Sequence, residues 1–436
     1  MTSRRVATGV SAFAVSVLMA SSAWAQRESG PYGALFGGKD QSVTQSLALN
    51  WSLYSGYDDT LLDQARALAF DPRYQVSGGF AGGQAGLGYS LRQGSTQFTL
   101  DTSTMVRRYS STGDISTPTV NLSSGLVFGL GPRVTVHGDV GGSYASFYQF
   151  APFELDTGAV PSFSLAAVSA QSIVVSSGGG ISANLTQRIS LVADVAWQDA
   201  RFVSAEAGRV TSRRASFRLQ EKLTRDLGWH AGYGYREGIF NSIPTAGAGA
   251  IVHDLDIGLD YAHALSVSRR TSITFGSGSS ITEPQAGVKR YSVSGHATLS
   301  KDIGRTWSSS VSYARGTQMI QGFSDVVLSD SVNGTLGGLL LPRLQLSVGA
   351  GYSVGEFVVD PTAPRYGTET ANGRLGLAIS QSVMLTAEYV YYRYNVPPGA
   401  FAVPDAVAPR MARQSIIVGV NGRVPFLNER SHRDSR

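Results

Sequence analysis

The sequence predicts an all-β fold: a single closed antiparallel transmembrane β-barrel of about 18 strands, within a range of roughly 16–18. Three observations favour this fold. Apolar residues alternate with polar or small residues at a period of two along most of the chain after Val43. Short breaks and long breaks alternate strictly between these segments along the chain. The composition is poor in charge and rich in glycine, with 15% charged residues, 42% hydrophobic residues and 51 glycines among 436 residues.

Composition also excludes several other classes of protein. A disordered chain carries more charge and fewer aromatic residues than the 10% found here. A helical membrane protein needs several apolar runs of about 20 residues, and only the amino terminus offers one. Because the chain has no cysteine, thiolate metal sites, disulfides and cysteine nucleophiles are excluded. The net charge of +5 is small for this length and the basic residues form no long run, so no nucleic-acid partner is expected.

The first segment, residues 1–25, has the three parts of a secretory signal peptide. Arg4 and Arg5 provide a basic start, an apolar stretch follows, and Ala23-Trp24-Ala25 forms a cleavage site of the A-x-A type. We predict cleavage near Ala25, followed by a flexible periplasmic segment over 26–42. A membrane anchor is the alternative interpretation, but the apolar stretch is short for a span and ends in a cleavage site.

The alternating segments have the layout of a transmembrane barrel. Successive side chains of a strand point to opposite faces, so each segment has one apolar and one polar or small face. The short breaks lie near Arg92–Ser95, Gly131–Arg133, Thr186–Arg188, Arg225–Asp226, Ser268–Arg270, Asp302–Arg305, Pro342–Arg343 and Gln381–Ser382. Such an arrangement is typical of short periplasmic turns that alternate with longer extracellular loops. Since lipid offers no hydrogen-bond partners, a spanning sheet must close on itself.

The barrel is predicted to span residues 43–426. Its first strand lies near 43–57 and its last near 412–426, where Ile416, Val418 and Phe426 share the lipid-facing parity. This last strand resembles the carboxy-terminal signal of outer-membrane barrels, so Phe426 is the predicted barrel-assembly signal. Residues 427–436 are then a periplasmic tail. The expected partners are outer-membrane lipid and the barrel-assembly machinery, and aromatic residues near strand ends, among them Tyr54 and Tyr235, are expected in interfacial girdles.

Two stretches resemble a family of β-barrel porins of Gram-negative bacteria, some of which occur with exopolysaccharide or capsule loci. One is residues 52–62, which end the first predicted strand, and the other is residues 261–276, a strand, an arginine-containing turn and a strand. Family members often have asparagine where this chain has Thr60. The resemblance implies an outer-membrane location and passage of glycans, with polysaccharide and periplasmic export proteins as partners. It brings no catalytic residues.

The same parity assigns charged residues to the lumen. The predicted basic ladder is Arg214, Arg218, Lys222 and Arg236, and the predicted acidic ladder is Asp254, Asp256 and Asp260. The turn near residue 225 would place Arg214 opposite Arg236 and Arg218 opposite Gly232, and Arg236 would come near Asp254. Two interpretations stay open: ion pairs that strengthen the wall, each worth about 0–1 kcal/mol when solvated, or a polarised patch that filters polar solutes.

Candidate sites of other kinds are few. Glu388, Tyr392 and Tyr394 share the inward parity and form a possible sugar-contacting track, with ordinary rim tyrosines as the alternative. Although His137 lies two residues from Asp139 on one face, no nucleophile motif accompanies it, so enzymatic activity is not expected. The spacing of histidines and carboxylates predicts neither a metal site nor a cofactor.

Together these features predict an outer-membrane channel for polar solutes, with polysaccharide passage in an export system as its specific form. The alternative is a non-conducting structural or scaffold barrel, plugged by loop 149–169 or by a partner. That loop is long and apolar for a surface loop.

Overall fold

The computed structural model describes residues 43–60, 78–109, 115–145, 171–203, 209–224, 227–241, 248–261, 263–264, 271–284, 288–320, 326–358, 365–395 and 410–430. The predicted signal peptide, the segment 26–42 and the loop 149–169 lie outside these residues, as does the predicted turn at Ser268–Arg270. In the described ranges no helix is long and apolar enough to span a membrane.

The described residues form nineteen β-strands. The strands are β1 (Val43–Thr60), β2 (Gly78–Gln93), β3 (Thr96–Tyr109), β4 (Ile115–Leu130), β5 (Val134–Ala145), β6 (Ser172–Asn184), β7 (Ile189–Phe202), β8 (Arg209–Lys222), β9 (Leu227–Asn241), β10 (Ala248–Tyr261), β11 (His263–Ala264), β12 (Thr271–Pro284), β13 (Arg290–Ile303), β14 (Trp307–Met319), β15 (Val326–Leu341), β16 (Leu344–Phe357), β17 (Tyr366–Ala378), β18 (Val383–Asn395) and β19 (Arg410–Arg430). The two-residue β11 continues the line of β10 along β12, so eighteen strands build the wall.

The sheet is closed and antiparallel throughout. Each of the eighteen wall strands pairs with the next one along the wall, with β10 and β11 both pairing with β12, and β1 pairs with both β2 and β19. Leu53, for example, lies opposite Gly83 on one side and Val420 on the other. No strand of the described ring presents a free edge, which is the condition that a hydrocarbon solvent imposes on a sheet. The predicted closed barrel of about 18 strands is confirmed.

Tight turns join the strands at one end of the barrel, which we name the turn end. Gly94 and Gly304 lie in two of them with φ of +59° and +67°. These left-handed conformations cost glycine little because it has no Cβ. Both turns fall within the predicted breaks at Arg92–Ser95 and Asp302–Arg305. The strand ends that flank the long breaks lie at the opposite end, which we name the loop end.

The outward face of the wall is apolar and exposed. Leu53 and Ile257 have 63% and 68% of their surface exposed, and leucine, valine, isoleucine and aromatic residues recur on this face around the barrel. Their neighbours along each strand point inward, as Ser52 does beside Leu53. A surface of this kind is stable against lipid and is costly in water.

Two predictions about the strand ends are wrong. The barrel does not end at Phe426, because β19 continues to Arg430 and Val43 of β1 lies opposite that residue. Leu427–Arg430 therefore belong to the wall, since the first residues of β1 offer them hydrogen-bond partners. Tyr54 is not a girdle residue. It points inward, is 5% exposed and packs edge-on against Phe80.

The two halves of the lumen differ in packing. Towards the turn end, inward residues such as Asp101 and Asp139 are exposed. Towards the loop end, inward residues such as Tyr366 and Val327 are fully buried. The described inner face is therefore open at the turn end and closely packed at the loop end.

Contacts between non-neighbouring strands contribute to this packing. Phe240 of β9, Met319 of β14 and Val326 of β15 belong to one buried cluster, although β10, β12 and β13 lie between β9 and β14 in the wall. Arg236 of β9 also donates hydrogen bonds to the carbonyl and hydroxyl oxygens of Thr317 at 2.7 and 2.5 Å. We name this set of contacts, which joins β9 to β14 and β15, the loop-end clasp.

Candidate functional site in the barrel lumen

The predicted ladders face each other in the register that the turn position indicates. Arg214 lies opposite Arg236, and Arg218 lies opposite Gly232. Arg236 donates from Nε and Nη2 to the two carboxylate oxygens of Asp254 at 2.7 and 2.8 Å. This two-point geometry is the strongest form of an arginine–carboxylate contact.

The other members of the ladders pair in a similar way. Arg218 Nη1 lies 3.4 Å from one oxygen of Asp256, and His230 Nε2 lies 2.9 Å from the other. These contacts cross β9, whose Gly232 leaves the necessary space: a Cβ built there would lie 3.5 Å from the Arg218 side chain and 3.0 Å from the Phe217 carbonyl. The two ladders therefore neutralise each other instead of forming separate basic and acidic strips.

Three ladder residues lie outside these pairs. Arg214 lies opposite Arg236, and the carboxylates of Asp254, Asp194 and Asp256 all act electrostatically on it. Lys222 is exposed at the turn end. The side chain of Asp260 is outside the described residues.

A second polar contact bridges the glycine-rich strand β6. His137 of β5 and Asp194 of β7 meet above Gly180, with His137 Nε2 lying 3.2 Å from Asp194 Oδ1. A Cβ on Gly180 would lie 2.3 Å from Asp194 Oδ1 and 2.7 Å from His137. The run Gly178-Gly179-Gly180 thus provides room for side chains from both neighbours. Sequence analysis did not predict this contact, although the shared inward parity of His137 and Asp194 and the glycine between them were the available signals.

Gly180→Ala is expected to destabilise the barrel by about 1–3 kcal/mol, because the new methyl group collides with Asp194 and with the backbone carbonyl of Ala193. Urea unfolding of the reconstituted protein measures the effect. Gly334→Ala is the matched control, since nothing lies within 4 Å of a Cβ at that position. Equal unfolding midpoints for the two variants would show that the side chains of His137 and Asp194 do not occupy the space above β6.

A third cluster, which we name the Asp58 cluster, lies buried near the loop end. Arg413 Nη2 donates to Asp58 Oδ2 at 2.7 Å, and the Tyr109 hydroxyl donates to the same oxygen. Arg107 Nη1 lies 3.9 Å from it. The exposed fraction of these four residues is at most 2%. Nothing local in the sequence indicates that β1, β3 and β19 bring Arg107 and Arg413 to one carboxylate.

The predicted sugar-contacting track is not formed. Tyr392 and Tyr394 are 2% and 1% exposed, and their rings pack against each other at a centroid distance of 5.8 Å. Glu388 is also buried, directly opposite Arg374 of β17. Stacking of a sugar requires an open ring face, and neither tyrosine offers one because the loop-end half of the lumen is closely packed.

The turn-end half contains a cavity of about 330 Å³ with several amide side chains in its lining, which we name the amide chamber. It is bounded by β1–β4, β17 and β19, and its lining includes Asn50, Gln84, Asn121, Asn421, Asp101 and Arg374. Sequence analysis missed it, since amides on the inward parity were the only signal. Within the described ranges no group of three or more histidine, aspartate or glutamate residues is placed to hold a metal ion.

Comparisons with known proteins find similarity of structure and none of sequence. No protein-family model matches the chain, and no curated protein matches it. Among solved structures, the chain is similar to OpdL of Pseudomonas aeruginosa, with 13% identity, 88% of this chain and 99% of that chain covered and a TM-score of 0.45. It is similar to OccAB4 of Acinetobacter baumannii, with 11% identity, 89% and 100% coverage and a TM-score of 0.44.

A third similar structure is a loop-deletion mutant of OmpT, an outer membrane protein of Vibrio cholerae, with 11% identity, 87% and 100% coverage and a TM-score of 0.36. Similarity of fold at such low sequence identity does not indicate which residues line the lumen.

Proposed function

We propose that the chain is an outer-membrane channel for small polar solutes. The observation that carries the proposal is the closed ring of eighteen strands with an apolar exterior and a charged, amide-lined interior. An apolar exterior suits hydrocarbon, and a polar interior suits water and dissolved solutes. The predicted signal peptide and the alternation of short turns and long loops support an outer membrane with the turn end in the periplasm.

Small solutes fit the lumen better than polysaccharide does. The lumen is not a pore of uniform width. Its inner face is buried near the loop end, and a chamber of about 330 Å³ lies near the turn end. The tyrosines that were expected to stack on a glycan are buried. We therefore expect solutes of the size of a single sugar or amino acid.

Liposome swelling tests this proposal. Proteoliposomes containing the mature chain are diluted into isosmotic solutions of neutral solutes of increasing size. Swelling with small solutes that falls off steeply with size is the expected result. A protein that stays in aqueous solution as a monomer without detergent, or liposomes that never swell, would contradict a channel.

A closed scaffold barrel is the second candidate, and the close packing of the loop-end half favours it. Planar-bilayer recordings distinguish the two candidates. Stepwise currents support the channel, whereas silence supports a plug. If silence ends when residues 149–169 are deleted, that loop is the plug.

Ion selectivity tests whether the ladders act on permeating solutes. Asp254→Asn combined with Asp256→Asn leaves Arg218 and Arg236 without their paired carboxylates, so we expect the reversal potential in a salt gradient to move towards anion preference. Glu356→Gln is the control, because that residue is partly exposed and pairs with Arg365 near the loop end. An unchanged reversal potential in the double variant would mean that the ladders only strengthen the wall.

A further inference from the structure

We propose that the amide chamber is a binding site for one small neutral polyhydroxylated solute of the size of a monosaccharide. This inference rests on the proposed channel function and names the class of solute that the channel holds.

The strand registers bring the chamber's polar groups into rows. Ser52 of β1 lies opposite Asn421 on one side and Gln84 on the other. In the next row Asn50 and Asn121 lie at the two ends, with Gly86 and Ser103 between them. Five strands, β19 and β1 to β4, therefore present amides and hydroxyls in two adjacent rows of the wall.

Gly86 forms the floor of the second row. A Cβ at this position would lie 2.8 Å from the Thr102 carbonyl oxygen and 3.2 Å from Cβ of Ser103. Because Gly86 has no side chain, the space between Asn50 and Ser103 on the inner face stays open. The resulting volume of about 330 Å³ lies at the lower end of the range for ligand pockets, about 300–1,000 Å³.

The lining offers open amide groups to a ligand. Asn50 and Asn121 both line the chamber and are exposed to the lumen. A side-chain amide donates and accepts hydrogen bonds. Each of these amides can therefore pair with a solute hydroxyl, which an apolar ligand does not have.

The charges of the chamber favour a neutral solute. Arg374 lies directly opposite Glu388 in the strand register, and the two groups interact electrostatically. Asp101, on the other side of the chamber, is exposed to the lumen and would repel an anion. A carboxylate accepts strong hydrogen bonds from hydroxyl groups, and amide side chains both donate and accept. This mixture matches a polyol, each of whose hydroxyls also donates and accepts.

Isothermal titration of the full mature protein in detergent tests the site. The probes are D-glucose as a neutral polyol, glycine as a zwitterion and succinate as an anion. We expect saturable binding of glucose at one site per chain, with much weaker binding of glycine and succinate. Asn50→Leu combined with Asn121→Leu removes two amides, and we expect it to weaken glucose binding by about tenfold or more.

Asn333→Leu is the matched control, an inward-facing asparagine of β15 outside the chamber, and it should leave the affinity unchanged. A shift in electrophoretic mobility on heating verifies that each variant is folded. A misfolded double variant is replaced by Gln84→Leu, which should weaken glucose binding in the same direction. The proposal is overturned by the absence of saturable glucose binding, by tighter binding of glycine or succinate, or by equal affinities in the chamber variants and the control.

Liposome swelling separates this proposal from the channel itself. Swelling without saturable glucose binding would overturn the site and leave the channel intact. Binding that the chamber variants abolish, in a protein that never swells liposomes, would support the site and contradict the channel.

Discussion

Asp58→Asn is expected to lower the free energy of unfolding by about 3–5 kcal/mol, the cost of leaving a buried charge uncompensated. Asp58 is fully buried, and its carboxylate accepts from Arg413 and Tyr109 and lies near Arg107. The amide keeps the shape of the side chain and removes its charge. The two guanidinium groups then face each other without a counter-ion. Urea unfolding of the reconstituted barrel, followed by tryptophan fluorescence, measures the loss.

Two further variants make this prediction specific. Glu356→Gln removes the carboxylate of an ion pair whose side chains are partly exposed, so we expect a loss of only about 0–1 kcal/mol. Asp58→Leu combined with Arg413→Met removes both charges of the closest pair, and we expect it to recover part of the stability lost in Asp58→Asn. Similar losses in Asp58→Asn and Glu356→Gln would mean that the buried cluster contributes no more than a solvated pair.

Met319→Ala is expected to increase single-channel conductance severalfold. Met319 packs against Phe240 in the loop-end clasp, and a Cβ on Gly238 would lie 2.5 Å from its sulfur atom. Its truncation removes the side chain that spans from β14 to β9. Because pore diameter sets conductance, a gap at the tightest part of the lumen has a larger effect than the same gap elsewhere. Planar-bilayer recording of the purified protein is the measurement.

Val293→Ala is the matched control for the clasp, since it shortens an apolar side chain that is exposed on the outer face. It should leave conductance unchanged. If Met319→Ala conducts no better than this control, then the clasp is not the narrowest part of the pathway.

Period-two alternation and turn chemistry were sufficient to predict the architecture. Parity placed Arg236 and Asp254 on the lumen face, and a tight turn near residue 225 set the register that pairs Arg214 with Arg236. Both are local properties, because a turn joins neighbouring strands and side chains alternate by geometry.

Other features of the lumen could not be predicted locally. Asp58 and Arg413 are separated by 355 positions, and only the pairing of β1 with β19 brings them together. The same limit explains the error at Tyr392 and Tyr394. Their parity was correct, but whether an inward ring is open or buried depends on how closely distant strands approach each other, and no single segment encodes that distance.

The seam between β1 and β19 has a consequence for biogenesis. Its partners come from opposite termini, from Val43 opposite Arg430 to Thr60 opposite Arg413. Until the last strand has been synthesised, every shorter nascent chain keeps two unpaired edges. Stepwise insertion of finished hairpins would leave those edges in contact with hydrocarbon. Completion of the ring is therefore coupled to the arrival of the final strand, and any truncation upstream of it removes the seam as a whole.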